Sequence, residues 1–416
     1  MRVGSIEMNN IVRFCRHYSN VLILIAVLIG SGIFSHLLTG EYSIDGGRKQ
    51  IGLTAKLMLA FSYSLSLGLI LLYWQEFKQK IGTISWLWGA LILWAAVSVV
   101  LGQFNMHTVM RLMGLVGCTL IGFMLFVCTQ NLRHVVLLMF WVCLSIMIIN
   151  LFYIDGSILM DVSAKNVKGV FGQKNSLGHY SVLTMFLCVF TYLATIGRVR
   201  WLSALLLITA SWLLLLSSSM TSYVLVPVAV FVGVSTLIIS RYQRGGLAIA
   251  GVSIFLACML AWNWPEFSSL IGRDPTFTGR TNHWAEYWSL IEQRMVIGHG
   301  YGAYPEKQIY WLLMGPHNGY IGVLYQTGII GLLMILALVA ASFKNLWNII
   351  SKRKFVFESY FLSGFLIVFL TLNLVETYIY HRSGVYWPLF VYATLQLAWL
   401  QKQTKDGIST NNDTAQ

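Results

Sequence analysis

Charge is what this sequence has least of. Only 10% of its 416 residues are Asp, Glu, Lys or Arg, against 57% apolar residues, and the mean hydropathy is +0.70. So little polar surface cannot coat a water-soluble globule of this length, which places the chain in a bilayer. Cysteine is scarce as well: of six in all, Cys118, Cys128, Cys143, Cys188 and Cys258 fall inside apolar windows and Cys15 precedes them. No disulfide or thiolate metal spacing results. No small-x-small cleavage site follows the first apolar stretch, residues 21–34, so that stretch reads as a retained anchor. The six-plus-six internal repeat of many carriers is missing, and the longest polar segment lies between the ninth and tenth spans, which weakens a transporter reading. Paired carboxylates that would hold a divalent ion are missing too, so neither metal nor cofactor is expected.

What is present is a succession of about twelve apolar windows of roughly 20 residues, each long enough for a hydrocarbon core of about 30 Å. They centre near Leu28, Leu65, Leu91, Leu120, Met147, Leu187, Leu206, Phe231, Ile254, Leu332, Ile367 and Tyr392. The expected fold is an all-α polytopic membrane helix bundle. Basic residues near short loops stay cytoplasmic. An N-terminus inside puts Arg13, Arg16, Lys78, Lys80, Arg133, Arg198, Arg200, Arg241, Arg244, Lys344, Lys352, Arg353, Lys354, Lys402 and Lys405 in the cytoplasm, with Arg48 and Lys49 as exceptions. Both termini are then cytoplasmic. The formal charge of +13 is thus mainly a topology signal, and the basic loops meet anionic headgroups rather than nucleic acid. The chain divides into spans 1–9 over residues 1–263, a periplasmic loop at 264–316, spans 10–12 at 317–400 and a cytoplasmic tail at 401–416.

The loop is long enough to be functional. Trp284, Tyr287, Trp288, Ile291 and Met295 recur at helical spacing, which predicts an amphipathic helix lying on the bundle or in the interface. Ionisable residues at span ends need partners, and Lys56, Arg111, Lys174, Glu376, His381 and Arg382 all fall near the outer ends of their spans on this topology. Two spans begin there with polar caps. The sixth follows GVFGQKNSLGHY, where Asn175 or Ser176 can cap; the tenth follows GPHNGY, where Pro316 suits a first helical turn. Helix N-termini favour anions, and Lys174 and His317 stand beside these two. The residues thus predict an anion site at the outer face, most simply for phosphate, with Lys174, Arg273 and Arg280 as its cations.

Three segments, in this order, resemble the O-antigen ligase and polysaccharide polymerase superfamily of bacterial membrane glycosyltransferases. They are GVFGQKNSLG (residues 169–178), GRDPTFTGRTNHW (272–284) followed by GHGYG (298–302), and HNGYIGVLYQTGIIG (317–331). The middle segment most resembles the exopolysaccharide polymerase branch, and the remaining spans match only in hydropathy.

The resemblance implies glycan transfer at the periplasmic face of the inner membrane, from undecaprenyl diphosphate to an acceptor sugar. Arg280 and Arg273, with Lys174, would hold the diphosphate, His317 would be the base and Asn318 would orient it; Lys168, Arg111, Glu376, Arg382 and Trp284 would support the site. Arginine remains charged and binds phosphate bidentately, and imidazole can accept a hydroxyl proton near neutral pH. Two departures stand out. Ser218 and Met220 are neutral where relatives often carry a basic residue, and Lys174 occupies a position that can differ between ligases and polymerases. Glu376 is expected to pair with a loop arginine or with Arg382. The implied partners are a lipid-linked oligosaccharide, an acceptor glycan or lipid A core, membrane lipids and a chain-length regulator. A ligase onto lipid A core is the neighbouring alternative; a lipid-linked oligosaccharide flippase or other carrier is the alternative of another class.

Overall fold

The computed structural model describes residues 17–38, 52–154, 160–161, 166–171, 173–241, 280–305, 315–352 and 354–406. In chain order the helices are α1 (Ser19–Gly30), α2 (Ile33–Leu38), α3 (Leu53–Leu72), α4 (Trp74–Lys80), α5 (Thr83–Leu101), α6 (Met106–Cys128) and α7 (Leu132–Phe152). They continue with α8 (Lys174–Ala194), α9 (Arg198–Ser217), α10 (Met220–Arg241), α11 (Arg280–Gln293), α12 (Gly319–Ser351), α13 (Val356–Leu372) and α14 (Tyr386–Lys405). Between α7 and α8, β1 (Met160–Asp161) pairs antiparallel with β2 (Asn166–Val167), and a single 3-10 turn, Gly169–Phe171, leads into α8.

Among the described residues, seven helices are long and apolar enough to cross a membrane, namely α3, α5, α6, α7, α8, α9 and α12. The protein is therefore an all-α polytopic membrane protein. Shorter apolar helices occupy the windows near Leu28, Phe231 and Ile367. The window near Tyr392 falls on α14, which is buried along most of its length and carries Gln396, Gln401 and Thr404 in its interior. The ninth window, near Ile254, lies outside the described residues.

The chain forms two compact units, one of Met1–Ile81, Met113–Pro227 and His381–Tyr392, the other of Gly82–Leu112, Val228–Tyr380 and Ala393–Gln416. In the first unit α8 packs along α9 and against α7, and α1 lies on α3 and α7. Several of its interior polar groups are bonded within it. Thr119, Ser181 and Thr184 hydroxyls donate to carbonyls one turn earlier, the usual solution for a hydroxyl on an apolar helix, and Trp387 Nε1 donates to Thr119 Oγ1 at 3.1 Å. Lys80 Nζ donates to the carbonyls of Phe126, Val127 and Thr129 at 2.9, 3.3 and 3.2 Å, a cation on the negative end of α6. The polar run after residue 216 ends α9 at Ser217 and α10 starts at Met220. Ser219 Oγ donates there to Asn175 Oδ1 at 3.2 Å.

Asn175 and Ser176 do not cap α8, contrary to expectation. The helix starts a residue earlier, at Lys174, with extended Gln173 in the cap position and no side-chain cap bond.

The second unit is organised by α12. That helix has an internal break at Gly328, whose φ of 64° and ψ of −169° leave the helical region. A break inside a span frees backbone groups that lipid cannot satisfy. The loop supplies the replacements: His299 and Gly300 N–H donate to the Tyr325 and Gln326 carbonyls at 2.8 and 2.9 Å, and Ile329 N–H donates to Met295 O at 2.8 Å. Trp94 Nε1 of α5 donates to the Thr327 carbonyl at 2.9 Å. The GHGYG segment is thus the backbone partner of a broken helix.

The amphipathic helix exists as α11. Tyr287 and Ile291 pack with Ala303 and Tyr325 in one apolar cluster, the two tyrosine rings edge to face at 5.2 Å. The stripe is narrower than its spacing implied. Trp288 and Met295 are 46% and 39% exposed, because Met295 lies past the helix end at Gln293 and Trp288 turns to the flank of the Tyr287 face.

Candidate active site

The site is built where α11 begins, where α12 begins and where the chain leaves α13. Asn318 is the N-cap of α12: its Oδ1 accepts from the N–H groups of Tyr320 and Ile321 at 3.0 and 3.1 Å, and its Nδ2 donates to Leu374 O at 2.9 Å. Pro316 is therefore not in the first turn. His317, between them, takes a left-handed φ of 47°, which a helix cannot contain. Asn373 holds the other strand of this junction. Its carbonyl accepts from Gly319 N–H at 2.7 Å, and its Oδ1 accepts from Tyr378 and Ile379 N–H at 2.8 Å each. A side chain at position 319 would place its Cβ 2.3 Å from Asn373 Oδ1, so glycine is what allows the two chains to approach.

This scaffold brings Glu376 between two of the predicted residues. Its Oε1 lies 2.9 Å from Arg280 Nη2 and its Oε2 lies 3.2 Å from His317 Nδ1. Arg280 also donates through Nη1 to the Val375 carbonyl. Glu376 and Arg280 side chains are each 15% exposed and His317 is 25% exposed, so the cluster is largely shielded and the imidazole is its most exposed member. Trp284, one turn after Arg280 on α11, donates Nε1–H to the Pro316 carbonyl at 2.9 Å and ties that helix to the histidine loop.

An ionised carboxylate can only accept, so with Glu376 charged the proton sits on Nδ1 of His317 and the Nε2 lone pair is presented. Glu376 is the group that orients the histidine. Asn318, expected in that role from sequence, caps the helix instead.

Arg111 donates Nη1–H to the Gly302 carbonyl at 2.6 Å and stacks 3.6 Å from the Tyr304 ring, holding the GHGYG segment. Lys168, Lys174 and Arg382 belong to the first unit. Arg273 lies outside the described residues. Glu376 pairs with Arg280, one of the loop arginines expected for it.

Two residues of the site carry weak sequence signals. Asn373 resembles an ordinary span-end amide, and its role depends on a contact far along the chain. His283 could have been found, since it is three residues after Arg280 and so shares its side of a helix. The two histidine rings of His283 and His317 are 6.5 Å apart between centroids.

Asn318→Ala removes the cap of α12 and a tie to the Glu376 loop. It is expected to cost about 1–2 kcal/mol of stability, read as a lower thermal midpoint in detergent, with the Arg280-bearing helix intact.

Apolar spans, the 280–305 segment bonded onto a broken helix and an Arg–Glu–His cluster at that helix's start define a multi-pass membrane protein with a compact cluster of charged and titratable side chains. Residues 183–336 match the O-antigen ligase family. That range contains the second and third of the resembling segments up to Leu336 and follows the first. The exopolysaccharide production protein ExoQ of Rhizobium meliloti (strain 1021) is 28% identical over 210 residues. The alignment covers 45% of this chain and 48% of ExoQ, so the chain spans about half the length of the relative it matches. Both matches are likenesses over part of the chain, one to the O-antigen ligase family across residues 183–336 and one to an exopolysaccharide production protein, and both agree with the resemblance its motifs carry.

Proposed function

We propose that the protein is a membrane glycosyltransferase that polymerises undecaprenyl-diphosphate-linked glycan repeat units at the periplasmic face of the bacterial inner membrane, both termini cytoplasmic. The observation that carries this is the bridge of Glu376 between Arg280 and His317. It joins a fixed cation and an oriented imidazole in one cluster, the two groups this transfer requires.

In the reaction, the acceptor hydroxyl gives its proton to Nε2 of His317 as its oxygen bonds to the anomeric carbon of the donor. The bond from that carbon to the diphosphate breaks, and the electron pair leaves with the diphosphate. Arg280 has five N–H donors, two of them engaged by Val375 and Glu376; the others can receive the developing charge. The Nδ1–H bond to Glu376 stabilises the imidazolium formed.

The name of the family match, O-antigen ligase, favours a second reading, in which the finished glycan passes to lipid A core. A flippase would carry its charges near the midplane of the bundle, whereas Arg280, His317 and Glu376 lie at helix ends.

Arg280→Ala, expressed to normal levels in membranes, is expected to abolish long chains while single lipid-linked units still reach the periplasm. Wild-type chain lengths would refute the site. A fully polymerised glycan left on its carrier would identify the ligase instead. Reporter fusions that place the 264–316 segment in the cytoplasm would remove the periplasmic assignment.

A further inference from the structure

His283 lies three residues beyond Arg280 on α11, and its ring is 6.5 Å from that of His317, tilted by 32°. Its Nδ1 is buried and has no hydrogen-bond partner among the described residues. The reaction proposed above gives it no part.

The charge balance of the cluster does. Arg280 is countered by Glu376 at 2.9 Å, and His317 must be neutral to act as a base, so these three groups together carry no net charge. The diphosphate of a lipid-linked glycan is a diester with two strongly acidic protons, both lost near neutral pH. Bringing that dianion into a shielded, neutral cluster is unfavourable unless a positive charge comes with it. Among the described residues of the cluster, a proton taken from water can supply it. His317 cannot keep it without losing its base, and Glu376 is already bonded to both Arg280 and His317. His283 is the neighbouring titratable group without such a duty.

We propose that His283 is a further ligand of the lipid diphosphate and takes up a proton when the diphosphate binds; this rests on the transfer function proposed above. In the empty site burial of the ring holds His283 below the usual histidine range, with His317 and Arg280 adding to the effect and Glu286, on the next turn of α11, opposing it. A bound dianion reverses the balance and raises it. Protons therefore favour the bound state: affinity increases as pH falls, and levels off once His283 is charged in the empty site as well.

The test uses the full chain in detergent and farnesyl diphosphoglucose, a probe whose phosphates do not titrate near neutrality. Titration calorimetry in two buffers of different ionisation heat counts the protons taken up. Wild type is expected to take up close to one proton per probe and to bind more tightly by up to about tenfold for each unit of pH lowered. His283→Gln should bind more weakly, with neither proton uptake nor pH dependence. Binding by wild type without proton uptake, or equal uptake in His283→Gln, would overturn the inference and leave the diphosphate site standing. Equal binding by Arg280→Ala and wild type would instead overturn the proposed function. Should His283→Gln fail to fold, His317→Gln decides: uptake that persists supports His283, and uptake that vanishes assigns the proton to His317.

Discussion

His317→Ala is expected to lower glycan transfer by about 10²- to 10⁴-fold, the contribution typical of a positioned general base, with the protein still folded in the membrane. The side chain is partly exposed and its hydrogen bond within the cluster is to Glu376, so its removal leaves the cap at Asn318 and the Arg280–Glu376 pair in place. Glu376→Gln tests the same unit from the other side. A glutamine can offer an N–H to Nδ1, which selects the tautomer with the proton on Nε2 and hides the lone pair the acceptor needs. The double variant should lose little beyond His317→Ala, because the two groups act together. The measurement is chain elongation in isolated membranes supplied with lipid-linked repeat units. Full multiplication of the two single losses would separate Glu376 from the histidine.

The largest structural effect is expected at Gly328. A Cβ there would lie 2.1 Å from the Val296 carbonyl, and the combination of φ 64° with ψ −169° is one that essentially only glycine adopts, a strain of about 1–3 kcal/mol for a side-chain-bearing residue. The clash is with backbone, so no rotamer relieves it. Gly328→Val should therefore displace the GHGYG segment and α12 from each other, at a cost comparable to the whole stability of an ordinary domain, about 5–15 kcal/mol. The readout is the yield of monodisperse protein after detergent extraction. Gly89→Ala is the control, since a Cβ at that helical position meets nothing within 4 Å. Equal yields from the two variants would show that the break tolerates a side chain.

The spans were legible because apolar content over about 20 residues is a property of the local chain. The break in α12 was not. TGIIG reads as uninterrupted apolar helix, and the non-helical geometry at Gly328 is sustained by bonds from Met295, His299 and Gly300, which no local pattern reports. Within the site, Arg280 was visible as a loop cation, His317 as an imidazole beside a helix start, and Glu376 as a span-end acid with an undecided partner. Their meeting depends on Asn373 and Gly319, whose contact spans two helices. Arg111, a span-end cation expected to support the site, donates to the Gly302 carbonyl and stacks on the Tyr304 ring, contacts that no local pattern reports.

The broken helix also bears on how the molecule is made. Chains emerge from the ribosome N-terminus first, so residues 295–300 are already present when the amides and carbonyls around Gly328 need partners. Arg280 and His317 are synthesised next to the elements that hold them, but Glu376 comes later, after α13 has been laid down. Until that last turn arrives, the cluster is an arginine and a histidine without their common anion. The nascent protein thus completes its Arg–Glu–His cluster late, after much of the apolar framework exists.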